Sequence, residues 1–525
     1  MNELCGAVVD GTLTDAQHAR LSALLGESEA ARRFYVRAMG QSAALHEYAA
    51  ETHSEPPDRV LTPAVAVWRS RVWTTLAAAA AIAFAFWSIG RPPAAPDAPR
   101  TVGRSEFVAR LTGAKELTWA AGTPALQPGA HLRRGQRLEL QGGFAEITFD
   151  SGARVVVEGV ASLDVNSAWD ATLRRGTLKA TVPPEAVGFR VSNPMVDVVD
   201  LGTEFTMIAD GSGAAEVLVL KGEVEAAPRV APEQNPILLR EKESRRFAPS
   251  GVSEIADSEK KFALFAQPLA LDRFSPGINY VHWPLDEAQG DAAQAEVAGV
   301  DMHAADAGLT IADAAQPTVA HTEGRYGGAL HFDGQLYARA KVPGMSGSSP
   351  RTVAFWVRVP DDAQPADTWM VAWGTKLRSL GYRPVQISWN RRPGEGALGA
   401  LRADFGGGHA VGTTSLRDGK WHHVAVYFAM GDGRDGVPQV KLYVDGRLES
   451  SAIVPGTVRA PGGTGDMAVT DVVWLGYRLT GKMEGRRFRG DLDELFIADR
   501  ALEPNEIVAL MRDNRPPNTT VASAR

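Results

Sequence analysis

An uninterrupted apolar run, Val72 to Gly90, constrains the fold of this chain more than any other feature. It extends over about 19 residues without a formal charge, close to the ~20 residues that a helix needs to cross the hydrocarbon core of a bilayer. About 70 residues precede the run and about 430 follow it. The sequence therefore predicts a transmembrane helix over 72–90 that divides the chain into a small and a large part on opposite sides of a membrane.

The residues that flank this run favour a membrane helix over two alternatives. Trp68 and Trp73 lie at one end and Trp87 at the other, as in an interfacial aromatic belt. A cleaved signal peptide would begin within the first few residues. A buried helix of a soluble domain is the other alternative, because an Ala-rich run is only weakly apolar. The count of basic residues on the two sides barely favours a cytoplasmic amino terminus.

Composition argues against several classes of protein. The formal net charge of −7 argues against general nucleic-acid binding. The 53 Gly and 32 Pro residues are typical of many short strands joined by turns. Cys5 is the only cysteine, so the sequence allows neither an intramolecular disulfide nor an all-cysteine zinc site.

The small part, residues 1–52, is predicted to be a helical module. Thr14 and Gln17 fit a capping box at the start of one helix. A second helix carries apolar residues at helical spacing, among them Phe34 and Tyr35. So few helices give a core that is marginal on its own. Two interpretations stay open: a module that another protein binds, or an amino-terminal cap on the membrane helix that follows a linker over 53–71.

The first half of the large part, residues 101–250, follows a Pro-rich linker over 91–100 and shows the alternation of half-buried strands. Ala145, Ile147 and Phe149 alternate with polar residues. There is little helical periodicity, so we predict an all-β domain. Its further strands are expected at 154–158, 171–173, 177–182, 188–191, 204–209 and 216–226.

Several motifs of this β domain resemble the ferric-citrate regulator (FecR) family. The strongest are a Leu-Gly-Thr-x-Phe run at 201–205 and a Lys-Gly-Glu-Val run at 221–224, in the order that the family has. In physical terms, Gly202 is expected at a tight turn and Phe205 in the core. No constellation of residues in this domain predicts catalysis.

The resemblance implies a layout for the whole chain. Members of the family have a short cytoplasmic helical module that contacts a sigma factor, one membrane span, and a β domain outside. With that layout the chain is expected in the inner membrane, with its amino terminus in the cytoplasm and its later domains outside. Phe34 and Tyr35 are then the candidate contacts to the sigma factor.

The second half of the large part, residues 275–510, follows a charged helical connector over 251–274. Well-patterned strands are predicted at 352–359 and 420–428. A later hairpin carries an Asp-Gly pair at 445–446, which suits a type I′ turn. Strands at this spacing, without helices between them, predict a β-sandwich. The remaining polar tail, 511–525, is expected to be disordered.

This segment resembles the laminin-G-like, concanavalin A-like lectin/glucanase fold over its whole length. The resemblance implies a jelly roll whose first and last strands pair, but the fold hosts many functions. Some relatives carry a structural calcium, for which Asp286, Asp333 and Asp493 are the candidate oxygen donors here. No other cofactor is predicted. The matching runs include 280–286, 329–334, 418–424, 442–446 and 490–495.

Three functions compete for the sandwich. The first is binding of a glycan or a protein. The second is glycoside hydrolysis by Asp491 and Asp493, which would lie about 6.6 Å apart on one face of a strand. These residues do not reproduce the Glu-x-Asp-x-x-Glu run of the glucanase branch, so catalysis is ranked last. The third is a purely structural role, in which the aspartates fix turns.

Aromatic and histidine side chains give further candidates. Trp356, Trp421 and Trp474 could stack on sugar rings, although aromatic residues in alternating strands more often lie in the core. His422 and His423 are adjacent in a strand and are expected to point to opposite faces of the sheet, so they are not expected to bind one ligand together.

The sequence thus predicts a mainly β protein: a helical module, one transmembrane helix, a FecR-like all-β domain and a laminin-G-like sandwich. The favoured function is a non-enzymatic, single-pass regulator of anti-sigma type that binds a sigma factor inside and a glycan or surface partner outside. The alternative is a membrane-tethered carbohydrate-binding or adhesion protein without a regulatory role. An envelope glycosidase is the third hypothesis.

Overall fold

A computed structural model describes Arg20 and residues 106–515, apart from short gaps. The predicted helical module, its Phe34 and Tyr35, the linkers at 53–71 and 91–100, and the predicted span at 72–90 lie outside the described residues. Within the described part, no helix is long and apolar enough to cross a membrane. The gaps are 230–234, 256–257, 266, 268, 275–276, 299–306, 314–319, 343–349, 374–384, 406–407, 431–437, 450–471 and 480–487.

The first domain is the predicted all-β domain, followed by one short helix, α1 (Ser258–Phe265), in the predicted connector. Its strands form a single sheet, sheet I, in which neighbours are antiparallel except for the parallel pair β5 and β6. The strands are β1 (Phe107–Trp119), β2 (His131–Arg133), β3 (Gln136–Phe149), β4 (Arg154–Ser167), β5 (Asp170–Thr181), β6 (Arg190–Ser192), β7 (Val196–Asp200), β8 (Glu204–Ala209), β9 (Ala215–Lys221), β10 (Glu223–Pro228), β11 (Ile237–Arg240), β12 (Ser244–Ala248), β13 (Gly251–Ser253) and β14 (Asp272–Arg273).

Sheet I runs in the order β11-β10-β7-β6-β5-β4-β3-β1-β14, with β2 on β1 and a branch β8-β9-β12-β13 that leaves β5. Its core follows the predicted alternation, since Ala145, Ile147 and Phe149 are fully buried. The polar partner Glu146 is buried as well, because Arg273 of β14 pairs with it at 2.8 Å. The connector therefore returns to cover a face that the sequence pattern assigns to solvent.

The Leu-Gly-Thr and Lys-Gly-Glu motifs meet in the folded domain. Gly202 has φ +102°, which confirms the predicted tight turn, and Phe205 is fully buried as predicted. The predicted single strand 216–226 is wrong, because Gly222 (φ +81°) separates β9 from β10. A Cβ at Gly222 would lie 2.7 Å from the Thr203 side chain and 2.9 Å from the Gly202 carbonyl. The two motifs therefore form one close-packed corner.

A buried carboxyl group organises this corner. Asp200 is fully buried; its Oδ2 accepts a hydrogen bond from Gly202 N at 2.6 Å, and its Oδ1 accepts one from the Thr203 hydroxyl. Burial raises the pKa of Asp200 from 3.8 to about 7, although hydrogen bonds from the backbone of Gly202 and Thr203 oppose the shift. The carboxyl group is thus held in its protonated form below neutral pH.

Asp200→Asn is expected to flatten the pH dependence of stability. The folded-state pKa lies above the unfolded value, so the stabilising effect of the proton is present below about pH 4 and is lost as the pH rises through 7. Asn can accept the Gly202 hydrogen bond and cannot ionise. The free energy of unfolding of the variant should therefore be higher than that of the parent at pH 8, by on the order of 2 kcal/mol, and the difference should be smaller at pH 5. Chemical denaturation at both pH values measures this, and a variant less stable than the parent at pH 8 would contradict it.

The second domain consists of two sheets and a C-terminal helix, α2 (Pro504–Asp513). Its strands are β15 (Tyr280–Trp283), β16 (Ala292–Ala293), β17 (Glu296–Ala298), β18 (Leu309–Asp313), β19 (Ala320–Glu323), β20 (Gly328–Asp333), β21 (Leu336–Lys341), β22 (Arg351–Arg358), β23 (Trp369–Trp373), β24 (Val385–Trp389), β25 (Ala400–Phe405), β26 (Gly408–Ser415), β27 (Trp421–Met430), β28 (Pro438–Val444), β29 (Arg447–Leu448), β30 (Val472–Leu475) and β31 (Arg489–Ala498).

The two sheets form the predicted jelly-roll-like sandwich. Sheet II has the order β17-β15-β31-β22-β27-β28-β29, with β20 on β31 and β19 on β20; sheet III has the order β16-β18-β21-β30-β23-β24-β25-β26. One apolar core lies between them, and the first strand, β15, pairs with the last, β31. The Asp445-Gly446 turn has φ +51° and +79°, as the predicted type I′ turn requires.

The outer face of sheet II packs on the first domain and on α2. Lys441 of β28 is buried and its Nζ lies 2.5 Å from Asp150 Oδ2, while the Tyr443 hydroxyl donates to the Asp150 carbonyl at 3.1 Å. Arg110 of β1 pairs with Glu503, the N-cap residue of α2, at 2.5 Å. We call these five residues the junction cluster. It joins the two domains through ion pairs and a hydrogen bond, in which Lys441 and Tyr443 are buried and the other three members are half-buried.

Glu503 and Lys441 of the junction cluster both have raised pKa values, for different physical reasons. Burial raises the pKa of Glu503 to about 7, against the opposing charge of Arg110. Burial alone would lower the pKa of Lys441, but the Asp150 carboxylate outweighs it and the net shift is upward. Lys441 is therefore held charged. Removal of its ammonium group would leave the Asp150 carboxylate without its ion-pair partner.

Candidate functional site

The outer face of sheet III carries a cluster of aromatic and basic side chains that the fold leaves accessible. On β21, Tyr337, Arg339 and Lys341 alternate with Ala338 and Ala340, which are buried in the core. On β30, Trp474 lies between Val473 and Leu475, which are also in the core. We call Tyr337, Arg339, Lys341, Trp474 and Tyr477 the aromatic face.

Strand register brings these side chains together. Arg339 lies opposite Trp474, and Lys341 lies opposite Val472. The Trp474 and Tyr477 rings are stacked, with centroids 4.7 Å apart and an interplanar angle of 26°. Tyr337 packs beside both rings, 5.2 Å from Tyr477 and 6.0 Å from Trp474. All three rings are half-buried, so the cluster is preorganised and still presents aromatic surface to solvent.

The two cations of the aromatic face are exposed. Arg339 and Lys341 have no ion-pair partner among the described residues. The outward neighbours of Arg339 and Tyr337 on β18 are Thr310 and Ala312, neither of which is charged. The face therefore combines three aromatic rings, the hydroxyl groups of its two tyrosines and two exposed positive charges.

The other end of sheet III is built differently. Arg402 of β25 is buried and pairs with Asp404 at 2.7 Å and with Glu395 at 2.5 Å. Gln386, in register with Asp404, is also buried and accepts a hydrogen bond from Leu479 N at 3.1 Å. Charged groups here neutralise one another, in contrast to those of the aromatic face.

The three tryptophans that the sequence presents as sugar-stacking candidates have different surroundings. Trp356 is buried on the outer face of sheet II, with the Arg325 guanidinium 5.0 Å from its ring centre. Trp421 is half-buried, with the Arg358 guanidinium 4.9 Å from its ring centre. Only Trp474 of the three stands in an aromatic cluster open to solvent. The sequence pattern identified the residue but could not separate it from the other two.

The predicted calcium ligands do not all come together. Asp493 Oδ2 accepts hydrogen bonds from the backbone N–H groups of Arg325 and Tyr326, and Asp286 Oδ1 accepts one from Gly328, so both hold the same loop. Asp333 instead caps its own turn and lies opposite Arg489. Across the described residues, no three His, Cys, Asp or Glu side chains converge as metal ligands. A three-carboxylate calcium site does not fit this arrangement, and calcium binding stays a prediction.

The carboxylate pair of the glycosidase hypothesis is enclosed by protein. Asp491 bonds His331 at 2.6 Å and Arg358 at 2.7 Å, and despite burial these two partners lower its pKa. Asp493 is fully buried, and burial raises its pKa to about 7. The pair has the separated pKa values of an acid and a base. However, its members serve as structural hydrogen-bond partners, and Asp493 has no exposed surface for a polysaccharide to reach.

The adjacent histidines separate as the sequence predicts. His423 is buried beside Trp356, and burial lowers its pKa to about 4. His422 is only partly buried and bonds Asp445 at 2.8 Å and Asp418 at 3.2 Å, and these carboxylates raise its pKa. The two rings therefore have different environments and pKa values shifted in opposite directions.

The two domains match two different protein families. Residues 137–225 match the family described as FecR protein. Residues 332–508 match the laminin-G-type family described as the concanavalin A-like lectin/glucanases superfamily. The chain contains a FecR domain and a laminin-G-like domain. Both resemblances drawn from the sequence motifs are thereby confirmed, and the aromatic face belongs to the laminin-G-like domain.

Solved structures give weaker similarities to this FecR and laminin-G-like chain. Domain 4 of the arabinanase AbnA from Geobacillus stearothermophilus, in complex with arabinotriose, is 23% identical; the match covers 38% of this chain and 87% of that one, with a TM-score of 0.28. The binding domain of Paraclostridial Mosquitocidal Protein 1 is 13% identical, covering 45% and 52%, with a TM-score of 0.29. The botulinum neurotoxin serotype D/C binding domain is 7% identical, covering 45% and 52%, with a TM-score of 0.30. None of the curated proteins matches this chain.

Proposed function

We propose that this chain is a single-pass membrane regulator of anti-sigma type whose laminin-G-like domain binds an envelope or surface glycan at the aromatic face. The aromatic face is the observation that carries the proposal. It is an accessible, preorganised cluster of three rings on a domain of lectin type. The FecR domain supports the regulatory half, since it stands between the predicted membrane helix and the lectin-like domain.

The chemistry of the aromatic face suits a sugar. The C–H faces of a pyranose ring are apolar and flat enough to pack on an indole or phenol ring, while its hydroxyl groups need polar partners at the rim. Trp474 and Tyr477 supply stacked rings, and Thr310 and Arg339 supply polar groups beside them. Aromatic side chains with a polar edge are favoured at binding surfaces for this reason.

We propose binding without catalysis. A glycoside hydrolase needs a protonated carboxylic acid beside the scissile bond. In the turn before β25, the partners Arg392 and Arg402 lower the pKa of Glu395 despite its partial burial, so that this carboxylate is held ionised. No pair of acids lies within the aromatic face, whose five members are two tyrosines, a tryptophan, an arginine and a lysine.

Phe34→Ala with Tyr35→Ala, in the full-length chain in host cells, should change the transcription of a set of genes. Under the proposal these residues contact a sigma factor on the cytoplasmic side, and their removal frees or misregulates it. Transcript profiling of the variant against the parent measures the effect. Glycan binding by the purified variant should be unchanged, because the aromatic face belongs to another part of the chain.

An unchanged transcript profile, with the variant present at the parental level, would contradict the regulatory half of the proposal. The chain would then be a tethered surface-binding protein. Lys420→Gln, at an exposed position of the laminin-G-like domain, is the matched control and should leave both transcription and glycan binding unaltered.

A further inference from the structure

We infer that the aromatic face selects anionic glycans, that is, polysaccharides whose sugars carry carboxylate or sulfate groups. The inference rests on the proposed function and adds the chemical class of its ligand. It is carried by the position of Arg339 and Lys341 beside the rings rather than by the rings themselves.

Geometry places both cations where a bound sugar would meet them. Arg339 and Lys341 are two residues apart on β21, so they project from the same side of the sheet, about 7 Å apart along the strand. Arg339 lies opposite Trp474 in the β-ladder. A sugar stacked at Trp474 therefore has one cation beside it, and its neighbour in a polysaccharide chain extends toward the second.

The charge balance of the surroundings makes these cations available to a ligand. The buried Arg402 of the same sheet, by contrast, is neutralised by Asp404 and Glu395. Arg339 and Lys341 lack such carboxylates among the described residues. The whole chain carries a net charge of −7, so two cations beside aromatic rings, with no ion-pair partner in the part of the chain that the structure describes, run against the overall charge.

The residues around the two cations are uncharged, which also favours an acidic sugar as the ligand. The residues that share their side of β18, β30 and β23 are Thr310, Ala312, Val472 and Ala372. An uncharged sugar would gain little from two cations in this setting. An acidic sugar would complement them, and the attraction would weaken as salt screens it.

The test uses polysaccharides that differ only in charge. Polygalacturonate and its fully methyl-esterified form share a backbone, and chondroitin sulfate and unsulfated chondroitin distinguish sulfate from carboxylate. Binding to the full-length parent and to Arg339→Gln/Lys341→Gln is titrated at low and at physiological salt. Lys420→Gln is the matched control for loss of an exposed charge elsewhere in the domain.

We expect the parent to bind at least one acidic member about tenfold more tightly than its neutral counterpart, with affinity falling as salt rises. Arg339→Gln/Lys341→Gln should remove that preference, so that its affinities for the acidic and the neutral forms become equal, whereas Lys420→Gln should retain the preference. Both substituted positions are exposed, so the variant should unfold at the parental temperature.

Equal affinity for acidic and neutral forms, or a preference that survives in Arg339→Gln/Lys341→Gln, would overturn this inference and leave glycan binding at the aromatic face standing. Failure of the parent to bind any polysaccharide of a broad panel that includes neutral members would overturn the proposed function as well. The two failures are thus distinguishable.

Discussion

Replacing Lys441 by Met is expected to lower the free energy of unfolding by about 3–5 kcal/mol. Lys441 is buried in the junction cluster, and its ammonium group lies 2.5 Å from Asp150. Met fills nearly the same volume but leaves the Asp150 carboxylate, whose side chain is only 16% exposed, without its cation. Chemical denaturation of the parent and the variant at neutral pH measures the loss.

A double variant separates the buried charge from the packing. Asp150→Asn with Lys441→Met removes both charges, so most of the lost stability should return. Lys420→Gln, which removes an exposed lysine of the same domain, should change stability by less than about 0.5 kcal/mol. Parental stability in Lys441→Met would show that the two domains do not pack through the junction cluster.

Trp474→Ala is expected to weaken glycan binding roughly 30-fold, the equivalent of about 2 kcal/mol, since a tryptophan at the centre of a binding surface often carries this much. The substitution removes the largest ring of the aromatic face and also the partner on which Tyr477 stacks. Titration of the full-length parent and variant with the tightest-binding member of a polysaccharide panel measures the change.

Trp421→Ala is the matched control for that substitution. Trp421 is also half-buried in a strand of the laminin-G-like domain, but it lies in sheet II against Arg358. The substitution Trp421→Ala should leave the affinity for the polysaccharide within about twofold of the parental value. If Trp421→Ala abolished binding and Trp474→Ala did not, the glycan site would lie on sheet II and the assignment to the aromatic face would be wrong.

Strand alternation predicted which residues share a face, but not which face is covered. Trp356, Trp421 and Trp474 all alternate with core residues and are equivalent by pattern. Helix α2 and the first domain cover much of the outer face of sheet II, whereas the aromatic face of sheet III stays open. Such coverage depends on contacts between residues far apart in sequence, such as Asp150 with Lys441, which local patterns do not contain.

The ends of two predicted elements also differ from the structure, because local sequence patterns do not contain the packing around them. The run 216–226 has strand composition throughout, yet it breaks at Gly222 because the Gly202–Thr203 turn packs against it. The helix α2 ends at Asp513, beyond the predicted domain limit of 510, and begins after Glu503. Pro at the first helical position, with Ile507 and Leu510 at helical spacing, is the signal that could have found it.

Local turn chemistry was the most predictable part of the fold. The Asp445-Gly446 hairpin and the Gly202 turn follow from residue types that tolerate positive φ, independent of what packs around them. The motifs also identified both domains, because they are tied to these turns and to the first and last strands of the sandwich. The aromatic face needed the register of β21 and β30, which no motif records.

We expect a glycan bound at the aromatic face to alter transcription inside the cell. The most direct measurement is transcript profiling of host cells with and without the tightest-binding polysaccharide, in cells with the parent chain and in cells with Trp474→Ala. We predict that the polysaccharide changes, in parent cells only, the same genes that Phe34→Ala with Tyr35→Ala changes. An identical response in both strains, or a response in genes that do not overlap with that set, would contradict the account.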